Sequence, residues 1–251
     1  MQAGLYIAYT GARTAERKLE QVAHNLANAS SAGYKQDKSV DKGVVPMAFF
    51  VGKDQVSITG EVSDAALLYS TPAVEYVDFS PGPMRSTGNP LDVAVDGDAF
   101  FTVSTPLGER LTRAGNFRVD VAGNLATPSG EKVLGNGGPI HVGEGVLVVG
   151  RDGQVSVGGA VVDTLKLRKV SDPLRLVKAG NGLFEAPPDL PLLPAGKDAT
   201  VQQGFLEESN VSPVLGMTEM IEASRMFDAY MKMISTISDL AAKASNDLGR
   251  V

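Results

Sequence analysis

The two ends of the chain each carry a seven-residue repeat of apolar residues, which is typical of helices that pack along a narrow seam. At the N-terminal end, every first and fourth position of the repeat is apolar: Leu5, Ala8, Ala12, Ala15, Leu19, Val22, Leu26 and Ala29. Ser30, Ser31 and Gly33 are expected to end this helix. Because many seam residues are alanine, the repeat predicts a partner that approaches closely.

The C-terminal end has the same repeat and predicts a second helix. Its apolar positions are Met220, Ala223, Phe227, Tyr230, Ile234, Ile237, Ala241, Ala244 and Leu248. We expect the helix to begin near Ser212 and Pro213, because proline is well tolerated in a first helical turn. A single helix of this length is marginal in water, so each seam needs a partner. That partner is either the other end of the same chain or the ends of neighbouring copies.

Between the ends, apolar and polar residues alternate with a period of two, as in half-buried β-strands. The alternation is clear at 91–95, 117–121 and 165–167, and glycine-rich turn signals recur between such runs. Asp152-Gly153, between two valine-rich runs, is the strongest hairpin signal. The pattern therefore predicts antiparallel β structure in the middle of the chain.

Together, these patterns predict an α+β fold, in which N- and C-terminal heptad helices pair as a coiled coil and an antiparallel, mainly-β domain is inserted between them. The predicted divisions are an N-terminal coiled-coil helix at 1–35, an extended connection at 36–75, the β domain at 76–200, and a C-terminal connection and coiled-coil helix at 201–251. Four prolines between 187 and 194 are expected to stiffen the exit from the β domain.

Charge and composition argue against several classes of function. The formal charge is −6, and nucleic-acid binding needs a basic surface, so nucleic acid is not an expected partner. No run approaches the ~20 apolar residues of a membrane span, and the first residues lack the regions of a cleavable signal peptide. The chain has no cysteine, which removes disulfides and thiolate chemistry.

The sequence also lacks the short motifs of common enzyme and cofactor sites, such as glycine-rich phosphate loops and the nucleophile elbow. His24 and His141 are isolated, which argues against a zinc site. We therefore expect no enzyme activity, no cofactor and no metal. One alternative stays open, because Asp92, Asp96 and Asp98 alternate onto one strand face. They form either a solvated face or a calcium-dependent binding module.

Asn25 and Asn28 are polar residues beside the apolar N-terminal seam. They are either a solvated flank of the helix or a source of hydrogen bonds that fix the register between helices, as buried asparagine does in coiled coils.

Several segments, read in order along nearly the whole chain, form a specific pattern. The N-terminal segment is Asn25-Leu26-Ala27-Asn28 followed by Gly33-Tyr34-Lys35. The C-terminal segment is Gly204-Phe205-Leu206-Glu207-Glu208-Ser209-Asn210-Val211. Between them stand residues 87–94, Phe100-Phe101, Thr112-Arg113, Gly115-Asn116-Phe117 and Val133-Leu134-Gly135. This pattern resembles the bacterial flagellar rod and hook protein family. Gly4-Leu5-Tyr6 and the short route from Tyr34 to Tyr76 are similar to its proximal-rod branch, with distal-rod or hook-type subunits as alternatives.

The resemblance implies a non-enzymatic structural subunit with paired terminal helices inside and a β domain outside. It implies a place in the rod that spans the periplasm, and export by the flagellar type III apparatus without a cleavable signal. The implied partners are other rod proteins, copies of the same chain, the export apparatus and the surrounding basal-body rings. The expected assembly interface comprises Leu5, Leu19, Val22, Asn25, Leu26, Asn28, Gly33, Tyr34, Glu207, Ser209, Asn210, Met220, Ala223, Phe227, Tyr230, Ile234, Ile237 and Leu248.

Overall fold

A computed structural model describes the backbone of residues 2–40, 74–143, 145–196 and 199–248, with side chains described over 4–39, 75–143, 145–196 and 199–243. Long α-helices lie at both ends, as the heptad repeats predict. Helix α1 spans Gln2–Ala27 and helix α2 spans Pro213–Leu248. In the part of the chain that is described, neither helix is long and apolar enough to cross a membrane.

The strands between the helices are short, and their pairing is largely antiparallel. In chain order they are β1 (Asp37–Val40), β2 (Val74–Val77), β3 (Met84–Ser86), β4 (Val93–Asp96), β5 (Ala99–Thr105), β6 (Gly108–Thr112), β7 (Arg118–Val119), β8 (Leu125–Ala126), β9 (Lys132–Val133), β10 (Leu147–Val149), β11 (Gln154–Val157), β12 (Ala160–Thr164), β13 (Leu167–Val170), β14 (Val177–Gly180), β15 (Leu183–Glu185), β16 (Leu192–Pro194), β17 (Thr200–Gln203) and β18 (Phe205–Glu207).

The chain divides into two compact units. The first, which we call the helical unit, consists of residues 1–26, 37–76 and 212–251. The second, which we call the β unit, consists of residues 27–36 and 77–211. The predicted divisions at 1–35, 36–75, 76–200 and 201–251 stay a prediction, and residues 41–73 of the predicted connection lie outside the described residues.

In the helical unit, α1 and α2 pack against each other in opposite directions. Gly4 lies near Ile237, whose Cδ1 would be 3.6 Å from a Cβ at position 4, and Leu26 lies near Gly216 at the other end. A Cβ on Gly11 would lie 2.4 Å from Tyr230 Cε1. Only glycine lets the tyrosine ring come so close to the α1 backbone.

The seam of α1 differs from the predicted heptad near its start. Four of its predicted residues are buried: Ala8, Ala12, Ala15 and Val22. Leu5, however, is 41% exposed, and its neighbour Gly4 faces α2 instead. Gly4 and Gly11 are seven residues apart, and the close approach that they permit turns the buried face of α1 away from Leu5. The two helices pack together, and their pairing as a regular coiled coil stays a prediction.

The β unit is built around one nine-stranded sheet. Seven strands run in the order β14-β15-β6-β5-β9-β8-β7, and β13 pairs with both β5 and β16. Smaller sheets are β10-β11-β12, β17-β4 and β18-β3. All these pairs are antiparallel, as predicted. The larger core includes Phe101 and Phe117, packed edge to face with ring centres 5.1 Å apart.

Of two local predictions in the β unit, the hairpin is confirmed and the proline-rich exit is not. The hairpin at Asp152-Gly153 is confirmed, because β10 and β11 pair antiparallel around it. The proline-rich stretch does not simply leave the domain, since it returns to the sheet as β16, where Pro194 lies opposite Arg168 of β13. Proline is tolerated there because only one ladder hydrogen bond is lost at the end of a short strand.

Candidate functional site

The N-terminal, middle and C-terminal motifs meet at three buried charged side chains of the β unit. Lys35 Nζ lies 2.6 Å from Glu207 Oε1, and Arg113 Nη1 lies 3.4 Å from Glu207 Oε2. The side chains of Lys35, Glu207 and Arg113 are 0%, 1% and 7% exposed, respectively. We call these three residues the charge cluster.

Lys35 is the most enclosed member of the charge cluster. Its Nζ also donates a hydrogen bond to the Ser80 carbonyl oxygen at 2.8 Å, and the Gly82 amide donates to Glu207 Oε1 at 3.0 Å. Burial lowers the pKa of the Lys35 ammonium below its usual range, although the Glu207 carboxylate acts in the opposite direction. The ion pair is therefore costly to bury, and its stability depends on these close partners.

Arg113 connects the charge cluster to the end of β4. Its Nη2 donates to the Gly97 carbonyl at 2.7 Å, and its Nη1 lies 3.4 Å from the Val95 carbonyl. The guanidinium carbon lies 4.8 Å from the centre of the Phe100 ring, which places the cation over an aromatic face. Burial lowers the pKa of Arg113 below its usual range, and Glu207 opposes this effect.

The charge cluster holds two cations and one carboxylate. The carbonyl oxygens of Ser80 and Gly97 and the Phe100 ring offset part of the second positive charge, because each presents partial negative charge to a cation. Glu207 is the carboxylate that pairs with both cations, whereas Asp78 also favours the charged form of Lys35, and Asp96 and Asp98 favour that of Arg113. The cluster therefore depends more strongly on Glu207 than on either basic residue.

Residues 33–36, which we call the docked segment, lie against the rest of the β unit with backbone groups paired to it. The Gly33 amide donates to the Glu207 carbonyl at 2.7 Å, and the Asn210 amide lies 3.4 Å from the Tyr34 carbonyl. Lys178 of β14 donates to the Lys35 carbonyl at 2.7 Å, and its Nζ lies 4.2 Å from the centre of the Tyr34 ring.

Gly33 is required by the close approach of the docked segment to the loop after β6. Its φ is +65°, and a Cβ there would lie 2.3 Å from the Arg113 carbonyl carbon. Both the backbone conformation and the space exclude a larger residue. This explains why the motif has glycine two residues before Lys35.

The Asn210 side chain joins three segments of the β unit. Its Oδ1 accepts from the Gln36 amide at 2.8 Å, and its Nδ2 donates to the Asp78 carbonyl at 2.8 Å. The same Nδ2 lies 3.2 Å from the Ser80 carbonyl and 3.1 Å from the Ser80 hydroxyl. The neighbouring Ser209 is buried and accepts from the Val211 amide at 3.2 Å.

In the helical unit, Asn25 pairs with the backbone at the start of β1. Its Nδ2 donates to the Asp37 carbonyl at 2.8 Å, and its Oδ1 accepts from the Asp37 amide at 2.9 Å. Asn25 is buried, so its interpretation as a solvated flank is wrong. These bonds join α1 to β1, so they do not fix the register between the helices. Asn28 lies past the end of α1, where its carbonyl accepts from the Ser31 amide.

Most of the remaining predicted interface residues of the helical unit are shielded from solvent where their side chains are described. Val22 and Ala223 are buried. The others with described side chains, apart from Leu5, are half-buried: Leu19, Leu26, Met220, Phe227, Tyr230, Ile234 and Ile237. The side chain of Leu248 lies outside the described residues.

Both helices also expose apolar side chains that do not belong to the seam. They are Tyr6, Ile7, Tyr9, Val214, Leu215, Met217, Ile221, Met226, Met231, Met233 and Leu240. Apolar area that stays in contact with water favours packing against a partner. The helical unit is therefore well suited to packing against further protein.

Several residues that organise the site carry no functional signal of their own in the sequence. Lys35 and Arg113 stand inside recognised motifs, but their pairing with Glu207 joins residues distant in sequence. Lys178 lies outside those motifs altogether. Local periodicity carries no signal for such contacts, because their partners come from distant parts of the chain.

The acidic residues considered for calcium do not share a solvated face. Asp92 is buried and accepts from Asn89 Nδ2 at 3.1 Å, whereas Asp98 is exposed beside Lys169. Among the residues with described positions, no three His, Asp or Glu side chains lie close enough to hold a metal ion. The strand-face prediction is wrong because β4 is covered on both sides, with Val93, Ala94 and Val95 all buried.

Two family models match the chain. Residues 94–157 match the D1 domain of the flagellar hook protein FlgE/F/G model, and residues 202–247 match the C-terminal model of the flagellar basal-body rod FlgEFG proteins. The first match contains Arg113, and the second contains Glu207 and Asn210. The models therefore cover two of the three segments that form the charge cluster.

Curated relatives match over essentially the full chain. The flagellar basal-body rod protein FlgF of Caulobacter vibrioides is 32% identical, with 100% of both chains covered. FlgF of Mesorhizobium japonicum is 34% identical over 97% of this chain and 98% of its own. The flagellar basal-body rod protein FlgG of Bacillus subtilis is 31% identical over 98% of this chain and 99% of its own.

Proposed function

This chain belongs to the flagellar basal-body rod protein family, and we propose that it is a structural subunit of the proximal rod, which assembles with other axial proteins into a shaft that transmits torque. Full-length similarity to FlgF proteins of two bacteria supports the proximal position. The FlgG relative, at 31% identity, supports the distal rod as the alternative. A hook-type subunit of the same family is a further alternative.

The apolar surface of the helical unit carries the assembly proposal. Its helices already bury a seam against each other, yet they still expose large residues such as Tyr9, Met217, Met233 and Leu240. Covering such residues removes apolar area from water, which favours association by about 25 cal/mol per Å². A shaft needs contacts that repeat without closing into a dimer, and the different residues exposed along α1 and α2 suit such heterologous contacts.

The same proposal assigns the chain its partners and location. The partners are copies of this chain, other rod proteins, the type III export apparatus during secretion and the rings around the rod. The location is the rod where it spans the periplasm. The members of the family named above are rod proteins rather than enzymes, which supports a structural role without catalysis.

Deletion of the gene, followed by electron microscopy of purified basal bodies, tests this proposal. We expect basal bodies with an absent or truncated rod and without a hook, and restoration by the intact gene. Complete rods without hooks would assign the chain to the hook instead. Normal, motile flagella would contradict the family function. Gold labelling of a tagged functional copy then separates proximal from distal positions along the rod.

A further inference from the structure

The chain passes between the helical unit and the β unit at four points. These points lie between residues 26 and 27, 36 and 37, 76 and 77, and 211 and 212. Any force that reaches the β unit along the chain enters it through these four connections. If hydrogen bonds within the β unit link the residues at these connections, the connections share a load. If not, one connection can bear it alone.

One side chain joins three of the four connections, because it belongs to the fourth and is hydrogen-bonded to the second and the third. Asn210 lies at the last connection, accepts from the amide of Gln36 at the second, and donates to the carbonyl of Asp78 at the third. The Asp78 amide also donates to the Gln36 carbonyl at 2.8 Å. The first connection leads into the docked segment, whose Tyr34 carbonyl lies 3.4 Å from the Asn210 amide.

We propose that Asn210 is a positioning residue that links these connections. Because of this link, the connections unfold locally as one element and share a mechanical load. The inference deepens the proposed rod function, because load sharing matters in a subunit that transmits torque. One amide side chain has an acceptor and two donors, which lets it bridge several backbones at once. The charge cluster fixes the docked segment, whereas Asn210 links that segment to the two neighbouring connections.

Native-state hydrogen exchange of the purified full-length protein tests the linkage. The probes are the amides of Gly33, Asp78 and Glu208, which donate to Glu207, Gln36 and Pro83 carbonyls and not to the Asn210 side chain. In the wild type we expect one common opening, and hence one shared protection factor. In N210A we expect the three protection factors to separate by about tenfold or more, because the segments then open independently.

Asn124→Ala is the matched control. The Asn124 side chain also makes hydrogen bonds within the β unit, to Asp120 and His141, but it joins residues of local turns and not the connections. We expect N124A to leave the shared protection of the three probes intact. A loss of stability alone would accelerate all three probes by one factor. That outcome in N210A would overturn the proposal.

Asn210→Asp provides a second variant that keeps the size of the side chain. The carboxylate still accepts from Gln36 but loses the donor to the Asp78 and Ser80 carbonyls. We expect the Asp78 probe to separate from the Gly33 probe in N210D. If both variants retain a shared protection factor, the linkage does not depend on Asn210.

Swimming in media of rising viscosity tests load sharing in cells that carry equal numbers of flagella. We expect N210A to lose more speed than N124A as the load rises. Separated protection factors with wild-type speed under load would overturn load sharing. Hydrogen exchange is measured on isolated protein, so its outcome stands even if gene deletion contradicts the rod function.

Discussion

Lys35 and Glu207 form a buried ion pair, 2.6 Å apart, between residues separated by 172 positions in the chain. With Arg113 they make a cluster that has one more positive than negative charge. The pair brings the N-terminal and C-terminal family motifs together at one point of the β unit. The motifs therefore serve the internal integrity of the subunit as well as any contact between subunits.

Glu207→Gln is expected to destabilise the β unit more than Lys35→Met. The first change leaves two buried cations without a carboxylate, which costs about 3–5 kcal/mol in the free energy of unfolding. The second leaves one Arg113–Glu207 pair and removes the cost of burying an ammonium group. Urea unfolding followed by β circular dichroism measures both values. Equal losses in the two variants would show that the excess positive charge has no energetic consequence.

The contribution of Lys35 to stability is expected to rise with pH. Burial holds its pKa below the 10.5 of an unperturbed lysine. Between the folded and unfolded pKa values, the unfolded chain binds more protons at this site, so the free energy of unfolding increases with pH there. Below the folded pKa, the cost of burying the charged group is fully present.

Unfolding of the wild type and K35M in parallel, from neutral pH toward 10.5, isolates this effect from other titrating groups. The difference in the free energy of unfolding should shift in favour of the wild type as pH rises. A difference that is constant across this range would contradict the lowered pKa of Lys35.

Leu26→Asp and Phe227→Asp are expected to block rod assembly while the β unit stays folded. Both residues are half-buried in the contact between α1 and α2, and a carboxylate there is left without a partner. Basal bodies are imaged for assembly, and the β circular dichroism of the purified variants is measured. Ser235→Asp, at an exposed position of α2, controls for added charge on the same helix. Loss of the β signal in L26D or F227D would refute the independence of the two units.

Gly11→Ala and Gly4→Ala are expected to act in opposite directions. Alanine favours a helix over glycine by about 1 kcal/mol, so G4A, with its nearest contact at 3.6 Å, should stabilise α1. In G11A the new methyl group would lie 2.4 Å from the Tyr230 ring, and the ring or the helix must move. Thermal unfolding at 222 nm compares them. Stabilisation by G11A equal to that by G4A would contradict close packing at Gly11.

The elements that depend on local pattern were predictable from the sequence. Both helices, the antiparallel pairing and the Asp152-Gly153 hairpin follow from periods and turn residues that lie within a few positions of each other. The heptad did not reveal that Leu5 is exposed in the single chain, because Gly4 gives α2 the closer approach. The place of Leu5 in an assembly interface stays a prediction. Asp92 was misplaced because strand alternation does not reveal that a strand is covered on both faces.

The site was predictable only in part. The resemblance to the flagellar rod and hook family identified Gly33, Tyr34, Glu207 and Asn210. It did not predict the hydrogen bonds and the ion pairs that join them. Their roles depend on Lys35, Arg113 and Lys178, and these partners are brought together by the path of the whole β unit. The hydrogen bonds between the Asn25 side chain and the Asp37 backbone cannot be predicted from a sequence pattern either, because they depend on where the chain turns back.

The pairing of residue 35 with residue 207 also restricts when folding can finish. The β unit needs Gly33 and Lys35 from one end of the sequence and Glu207 from the other. Such a contact closes a loop of 172 positions in a chain of 251 residues, and contacts of high sequence separation form slowly. While any part of the intervening chain is confined, for example within a narrow secretion channel, the charge cluster cannot close and the polypeptide stays incompletely folded.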